Sequence, residues 1–390
     1  MPKIHITLIN ASSKNNTIHY RNAQKIKEWT SLGFDVSMIS ISSDNLFIRD
    51  IFIADRIPNN IFYWGPFFGI TINPLVVQQN QISLISQLTS PSFGHLGDHP
   101  FAEWMMEALD GVANLDCFTL SGREKYFVKD LDCFSKREYF KYFPLDEACP
   151  YRITEPSSKI NKEELTLVAM DFRYLKDINA IIEQGARNLG LNKFRIKELM
   201  EYLSTSDLYI TDAIQAYIKE KKSRYKFSEI DKDVLARATG KLFHLIDMKY
   251  RYSTRVNIFN EYCELFPHQH ILVLGNKMPG LKPNKNTEFV GNLVFEDYLK
   301  LLDVAKTTLF ANPTYPNVVN ERIFAALQRN VDIICDENKA IHNVLGGPST
   351  YLNDHLIKIK SDDPRILSRA MSMETVIEKL AKKFKSMMCQ

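Results

Sequence analysis

The chain has 390 residues, of which 45% are apolar and 24% charged, with a net charge of +3. That length exceeds one ordinary hydrophobic core, so two folded domains are expected rather than a fibrous or disordered chain. A charge this small gives no reason to expect a nucleic-acid partner, although it allows local basic patches. No apolar run reaches the roughly 18 to 20 residues needed to span a bilayer, and "MPKIHITLIN" lacks the apolar region of a signal peptide, so a cytoplasmic protein is expected.

The first strand is predicted in "KIHITLIN", followed by the polar loop "ASSKNNT" and a helix over "HYRNAQKIKEWTSLG" that stops at Gly33. "FDVSMISIS" reads as the next strand. A strand, polar loop, helix and second apolar strand open an α/β unit with a parallel sheet, whose ligands sit at the carboxyl ends of the strands. Strands in "NIFYW", "QISLISQL" and "DCFTL" and helices over "FAEWMMEALDGV" and "CFSKREYFKYF" extend this unit to about residue 142. The Pro-rich stretch "PLDEACPYRITEPSSKINKEE" then reads as a linker.

A second α/β unit begins with the strand "LTLVAM". It is interrupted by a helix-rich region, residues 175–245, which reads as an insertion. Alternation resumes through "HILVLG", "TEFVG", "FEDYLKLLDVA", "TTLFAN", "NERIFAALQ", "VDIICD" and "HLIKIK", and a helix is predicted over 364–388. Domains are therefore expected at 1–150 and 151–363, with 364–390 as a closing helix. Its apolar residues Val376, Ile377, Leu380, Ala381 and Phe384 lie among Lys379, Lys382, Lys383 and Lys385. That pattern suits either packing back on the protein or peripheral contact with an anionic membrane face.

The chain has neither GxGxxG nor GxxxxGK[ST], so no dinucleotide or P-loop fingerprint is present. Six cysteines, Cys117, Cys133, Cys149, Cys263, Cys335 and Cys389, are scattered without a CxxC pair and read as reduced thiols. His268 and His270 sit at strand spacing, and "DLD" and "DKD" at 130–132 and 231–233 read as surface charge. No metal site is expected.

Two stretches carry chemistry. "ANPTYPNVVNERIFAALQRNVDIICDEN" places a loop with Asn312 after a strand and starts a helix at Glu321 and Arg322. Amides at Val319 and Asn320 and the fork of Arg322 suit a diphosphate, while Glu321 suits a ribose diol. The alternative is a dipole-complementing acid beside a solvated arginine. Gly275 ends a strand where a ligand can approach the backbone, with Lys277 nearby. In "SPSFGHLGDHPFAEWM", Asp98 and His99 form an acid-base pair or, alternatively, a helix cap.

These segments resemble bacterial GT-B-fold glycosyltransferases of the group 1-type, spore-maturation-protein-like (CgeB-like) branch. The likeness is carried by "HILVLG", "TEFVGNLVFEDYLKLLDVAKTTLFANP" and "NERIFAALQRNVDIICDEN", within about 250–345, and more weakly by "GHLGDHP" and "CFSKREYFKYFPL". The resemblance implies an α/β, GT-B fold with two Rossmann-like domains facing a central cleft. It further implies a nucleotide diphosphate sugar donor bound by the second domain and a glycan, lipid or protein acceptor bound by the first. Glu321 looks like the ribose acid, Arg322, Val319 and Asn320 like diphosphate contacts, and Gly275 like a donor-cleft glycine. Asp98 and His99 are the catalytic candidates. Asn330 departs from the pattern by standing where relatives carry glycine. The expected activity is metal-independent and cofactor-free sugar transfer; the alternative is a catalytically silent sugar-nucleotide or polysaccharide-binding module of the same fold.

Overall fold

A computed structural model of the chain describes residues 3–10, 25–40, 46–67, 76–77, 82–83, 87–96, 115–119, 140–144, 163–170, 176–188, 197–199, 201–202, 232–291, 293, 295–311, 319 and 321–387. The chain divides into two compact units. The first comprises 1–148, 183–244 and 376–390, and the second 149–182 and 245–375.

The first unit is built on a six-stranded sheet of order β2-β1-β3-β6-β7-β8. Its strands are β1 His5–Asn10, β2 Asp35–Ser40, β3 Asn60–Phe67, β6 Ser92–Leu96, β7 Leu115–Thr119 and β8 Phe140–Pro144. All pair in parallel. A separate short hairpin pairs β4 Val76–Val77 with β5 Ile82–Ser83. One face of β1, with Ile4, Ile6 and Leu8, packs with Trp29, Phe34, Ile61, Tyr63 and Phe93 into a buried core. The helix at 25–31 delivers Trp29 to it. That helix ends at Gly33, whose φ of +88° supplies the left-handed turn expected there.

One helix prediction failed in this unit. The end of "CFSKREYFKYF" is the strand β8, which pairs in parallel with β7, so tertiary pairing overrides helical periodicity there. Gly94 and His95 lie within β6.

The second unit carries a seven-stranded sheet of order β11-β10-β9-β12-β13-β15-β14. Its strands are β9 Glu163–Val168, β10 His270–Val273, β11 Thr287–Phe289, β12 Ala305–Phe310, β13 Asp332–Asp336, β14 Thr350–Tyr351 and β15 Leu356–Ile359. Strands β11 to β13 run parallel, while β15 pairs antiparallel with β13 and β14 closes that edge. The helix Lys232–Leu265, whose first part falls in the helix-rich region expected at 175–245, contributes Val256, Ile258, Phe259, Tyr262 and Cys263 to a core with Val168, Met170, Ile271, Val273 and Leu309. Within that core the hydroxyls of Tyr262 and Thr166 pair at 2.6 Å, and burial pushes the tyrosine up to about 12.

The closing helix is two helices, Pro364–Ser372 and Val376–Met387. The first ends at Met373, whose ψ of 137° leaves the helical region, and the chain passes from the second unit into the first at Val376. There Phe384 stacks on Trp29 at 5.5 Å and 4° and meets Phe93 at 4.6 Å. Val376, Ile377, Leu380, Ala381 and Phe384 are all buried, so the apolar side that a membrane surface would need is covered by the first sheet. No helix among the described residues is long and apolar enough to cross a membrane.

Candidate functional site

The site forms at the carboxyl edge of the second sheet. From β9 the chain proceeds to β10 and β11 on one side, then returns to the other side of β9 for β12 and β13. Strand order therefore reverses between β9 and β12, and the loops that leave their carboxyl ends diverge. Such a point opens a crevice in an α/β sheet.

Arg322 reaches that point. It lies in the first turn of the helix Glu321–Leu327, which packs through buried Ile323, Phe324, Ala326 and Leu327. Its guanidinium donates to the Ala169 carbonyl just beyond β9 and lies over the Phe310 ring at the end of β12, 5.8 Å from the centroid. The planar cation is thus fixed at both strands that flank the reversal. Its charge is felt nearby: burial raises the Tyr298 hydroxyl, and Arg322 and Arg329 oppose that rise.

The long helix packs on the other face of β9, through Tyr262, Phe259 and Val256. Tyr262 is anchored level with Thr166 by the 2.6 Å hydroxyl contact. Seven helical residues back, about 10 Å at 1.5 Å per residue, Arg255 comes level with Ala169, which is three strand residues, again about 10 Å, beyond Thr166. Arg251 stands one turn further out, with Nε 2.7 Å from the carboxylate of the buried Asp247. Ordinary helix and strand spacings thus set Arg255 near the height of Ala169, on the face opposite Arg322, while Arg251 is held by Asp247. The sequence reading missed Arg251 and Arg255. Their signal was the i, i+4, i+8 run Asp247, Arg251, Arg255 beside the apolar positions 252, 256, 259 and 263.

Gly275 lies just beyond the neighbouring strand β10, where the Leu274 amide donates to the Val168 carbonyl at 2.9 Å. Gly275 has φ +134° and bridges to Gly291, with φ +71°. No atom stands within 4 Å of where a Cβ would be at either glycine, so the backbone there is approachable. Lys277 follows, exposed. Val319 is buried ahead of the Arg322 helix. Asn312, Asn320, Asp98 and His99 lie outside the described residues, as does the side chain of Glu321. The structure thus brings Gly275 and Arg322 to one edge. His270 pairs instead with Glu288 at 3.3 Å, and Cys263 and Cys335 are buried free thiols.

Asn330 takes φ +54° in the turn between the Arg322 helix and β13. Asparagine tolerates this left-handed conformation better than most residues. It therefore fills the conformational role of the glycine that the sequence resemblance led one to expect there.

No protein-family model matches the chain, and neither does any curated protein. Among solved structures, the DNA-modifying enzyme beta-glucosyltransferase is similar at a TM-score of 0.48 and 12% identity, over 98% of this chain and 97% of the other. An alpha-glucosyltransferase in complex with UDP has a TM-score of 0.44 and 10% identity, over 98% and 95%. The glycosyltransferase SnogD from Streptomyces nogalater has a TM-score of 0.30 and 11% identity, over 99% and 100%.

Proposed function

We propose that the chain is a GT-B glycosyltransferase that moves a sugar from a nucleotide diphosphate sugar to an acceptor hydroxyl or other nucleophile. The observation that supports this reading is the seating of Arg322 at the carboxyl ends of β9 and β12, where strand order reverses. A diphosphate is a compact double anion, and guanidinium forks match phosphate oxygens in pairs. In the reaction, the bond from the anomeric carbon to the diphosphate oxygen breaks as the acceptor oxygen bonds to that carbon. Negative charge then grows on the departing diphosphate, where positioned arginines stabilise it most. This supplies the charge stabilisation without calling on a divalent cation.

In this reading the second unit holds the donor. Gly275 lets the nucleotide approach the backbone, Glu321 accepts from the ribose diol, and the amides at Val319 and Asn320 assist Arg322, with Asn312 and Lys277 at the rim. The first unit takes the acceptor, whose proton passes to Asp98 or His99.

The test is binding and turnover on a panel of uridine, guanosine, adenosine and thymidine diphosphate sugars. Arg322→Ala is expected to weaken donor binding or lower turnover at least tenfold, about 1.4 kcal/mol, with an unchanged melting temperature. Slow release of nucleoside diphosphate marks an enzyme. Tight donor binding with no release, even with glycan, lipid, protein and duplex DNA acceptors supplied, would instead establish the silent binding module. Unchanged kinetics in Arg322→Ala and Glu321→Ala would sink the site assignment.

A further inference from the structure

Residues 274–286 connect β10 to β11 without a strand or helix of their own, apart from the bridge of Gly275 to Gly291. Long loops of this kind are uncommon and are usually either functional or disordered. This one is laid along a single stripe of the helix Lys232–Leu265, formed by Tyr252, Val256 and Asn260 at i, i+4 and i+8. Tyr252 donates its hydroxyl to the Pro279 carbonyl. Val256 Cγ1 lies 3.4 Å from where a Cβ would stand on Gly280, whose φ is +83°. Asn260 closes a ring with the backbone: its Nδ2 donates to the Gly280 carbonyl at 2.9 Å, and its Oδ1 accepts from the Lys282 amide at 2.7 Å. Further along, Asn284 Nδ2 donates to the Phe266 and Gln269 carbonyls at 3.1 and 3.0 Å. Loop and helix therefore advance side by side in the same direction.

The direction places the start of the loop. Helix residues earlier than Arg255 stand beyond the height of Ala169, and Tyr252, three residues earlier, is about 4.5 Å further out at 1.5 Å per residue. The segment that Tyr252 holds, 275–279, therefore stands outside the carboxyl edge of the sheet as a wall of the crevice. Behind this wall Met278 packs on the core and Leu281 is buried in it. In front, Asn276 and Lys277 are exposed, and no atom lies within 4 Å of a Cβ placed on Gly275. Hydrogen bonds at exposed positions such as Asn260 contribute modestly to stability. What they set is geometry, since a segment free to sample many conformations is held in one.

We propose that Asn260 and Tyr252 are positioning residues of the donor site, holding the backbone of 275–279 in its binding conformation before the donor arrives. The inference rests on the donor reading above, in which the nucleotide approaches the backbone at Gly275. A ligand that meets a wall already ordered does not lose affinity to ordering it. Neither side chain has to touch the donor, because each acts through the loop carbonyl or amide that it holds. Asn260 uses both ends of its amide, one as donor and one as acceptor. Aspartate in its place would still accept from Lys282 but could not donate to Gly280.

The experiment joins calorimetric titration of the full chain with uridine, guanosine, adenosine and thymidine diphosphates to amide exchange across 276–282. In the wild type this loop is expected to exchange slowly with and without ligand. In Asn260→Ala its exchange without ligand should quicken about tenfold and return toward the wild-type rate once a nucleoside diphosphate is bound. Affinity should fall about fivefold, with the loss carried by the binding entropy. Asn260→Asp and Tyr252→Phe should move both readouts the same way by smaller factors, while β9 and β12 exchange as in the wild type. Unchanged affinity beside a loosened loop would overturn the positioning role and leave the donor reading intact, as would a wild-type loop that becomes protected only on binding. Weaker affinity with faster exchange throughout the second sheet would also overturn it, since that marks a loss of folding. A wild-type chain that binds none of these diphosphates and none of their sugars would overturn both.

Discussion

Arg322 is held at two points, a carbonyl and an aromatic face, and neither suits a substitute cation. Lysine has a compact ammonium on a flexible stem and cannot both lie flat over Phe310 and donate to Ala169. Arg322→Lys is therefore expected to weaken donor binding at least tenfold despite its conserved charge, measured by calorimetry. A different kind of residue-level prediction concerns Asp363, which caps the helix Pro364–Ser372. Hydrogen bonds from the Arg365 side chain lead the effects that hold its carboxyl at about 2, below the usual 3.8, and Ser349 adds another at 2.8 Å. A depressed folded value means that the stabilisation is complete above about pH 4 and is lost as pH falls toward 2. Asp363→Asn should therefore lower stability at neutral pH and flatten its decline between those values, read from urea midpoints at each pH.

At the scale of elements, the last helix decides the integrity of the first unit. It contributes five buried side chains to a core whose other members come from the first hundred residues. Phe384 is fully buried between Trp29 and Phe93. Its replacement by alanine leaves a large cavity, so Phe384→Ala is expected to cost about 3 to 5 kcal/mol, seen as a lower denaturant midpoint. Lys382→Ala, at an exposed position on the same helix, should cost less than about 0.5 kcal/mol. With its apolar side occupied, the helix is not expected to sediment the protein with anionic vesicles.

At the scale of the whole molecule, each unit has its own sheet and its own core. A ligand of one unit should stabilise that unit by mass action, by about 2.7 kcal/mol at a hundred times its dissociation constant. A nucleoside diphosphate is therefore expected to slow amide exchange in β9, β10 and β12 while leaving β1, β3 and β6 near their unliganded rates. Equal protection of both sheets, or protection of the first alone, would count against donor binding by the second unit.

Much of the parallel architecture was legible because apolar runs bounded by turn residues coincide with buried strands: "KIHITLIN", "LTLVAM", "TTLFAN" and "VDIICD" all became strands of the two sheets. The places of Gly275 just beyond a strand and of Arg322 at a helix start were legible for a related reason, since turn residues mark both. Strand β8 was not legible, because "YFKYF" satisfies helical and extended spacing alike and only the free edge of β7 settles it. Nor were Arg251 and Arg255, whose helix has a weak apolar bias and whose meaning depends on being level with Ala169.

By itself, then, the sequence determined the alternation of strands and helices and the chemistry available at their ends, because periodicity and turn residues act locally. Only the tertiary structure decided which strands are neighbours. The reversal between β9 and β12, the seating of Arg322 on the Ala169 carbonyl, and the return of the last helix to the first core all join residues distant in the chain. Such contacts depend on burial and pairing across the sheet, to which a local pattern is blind.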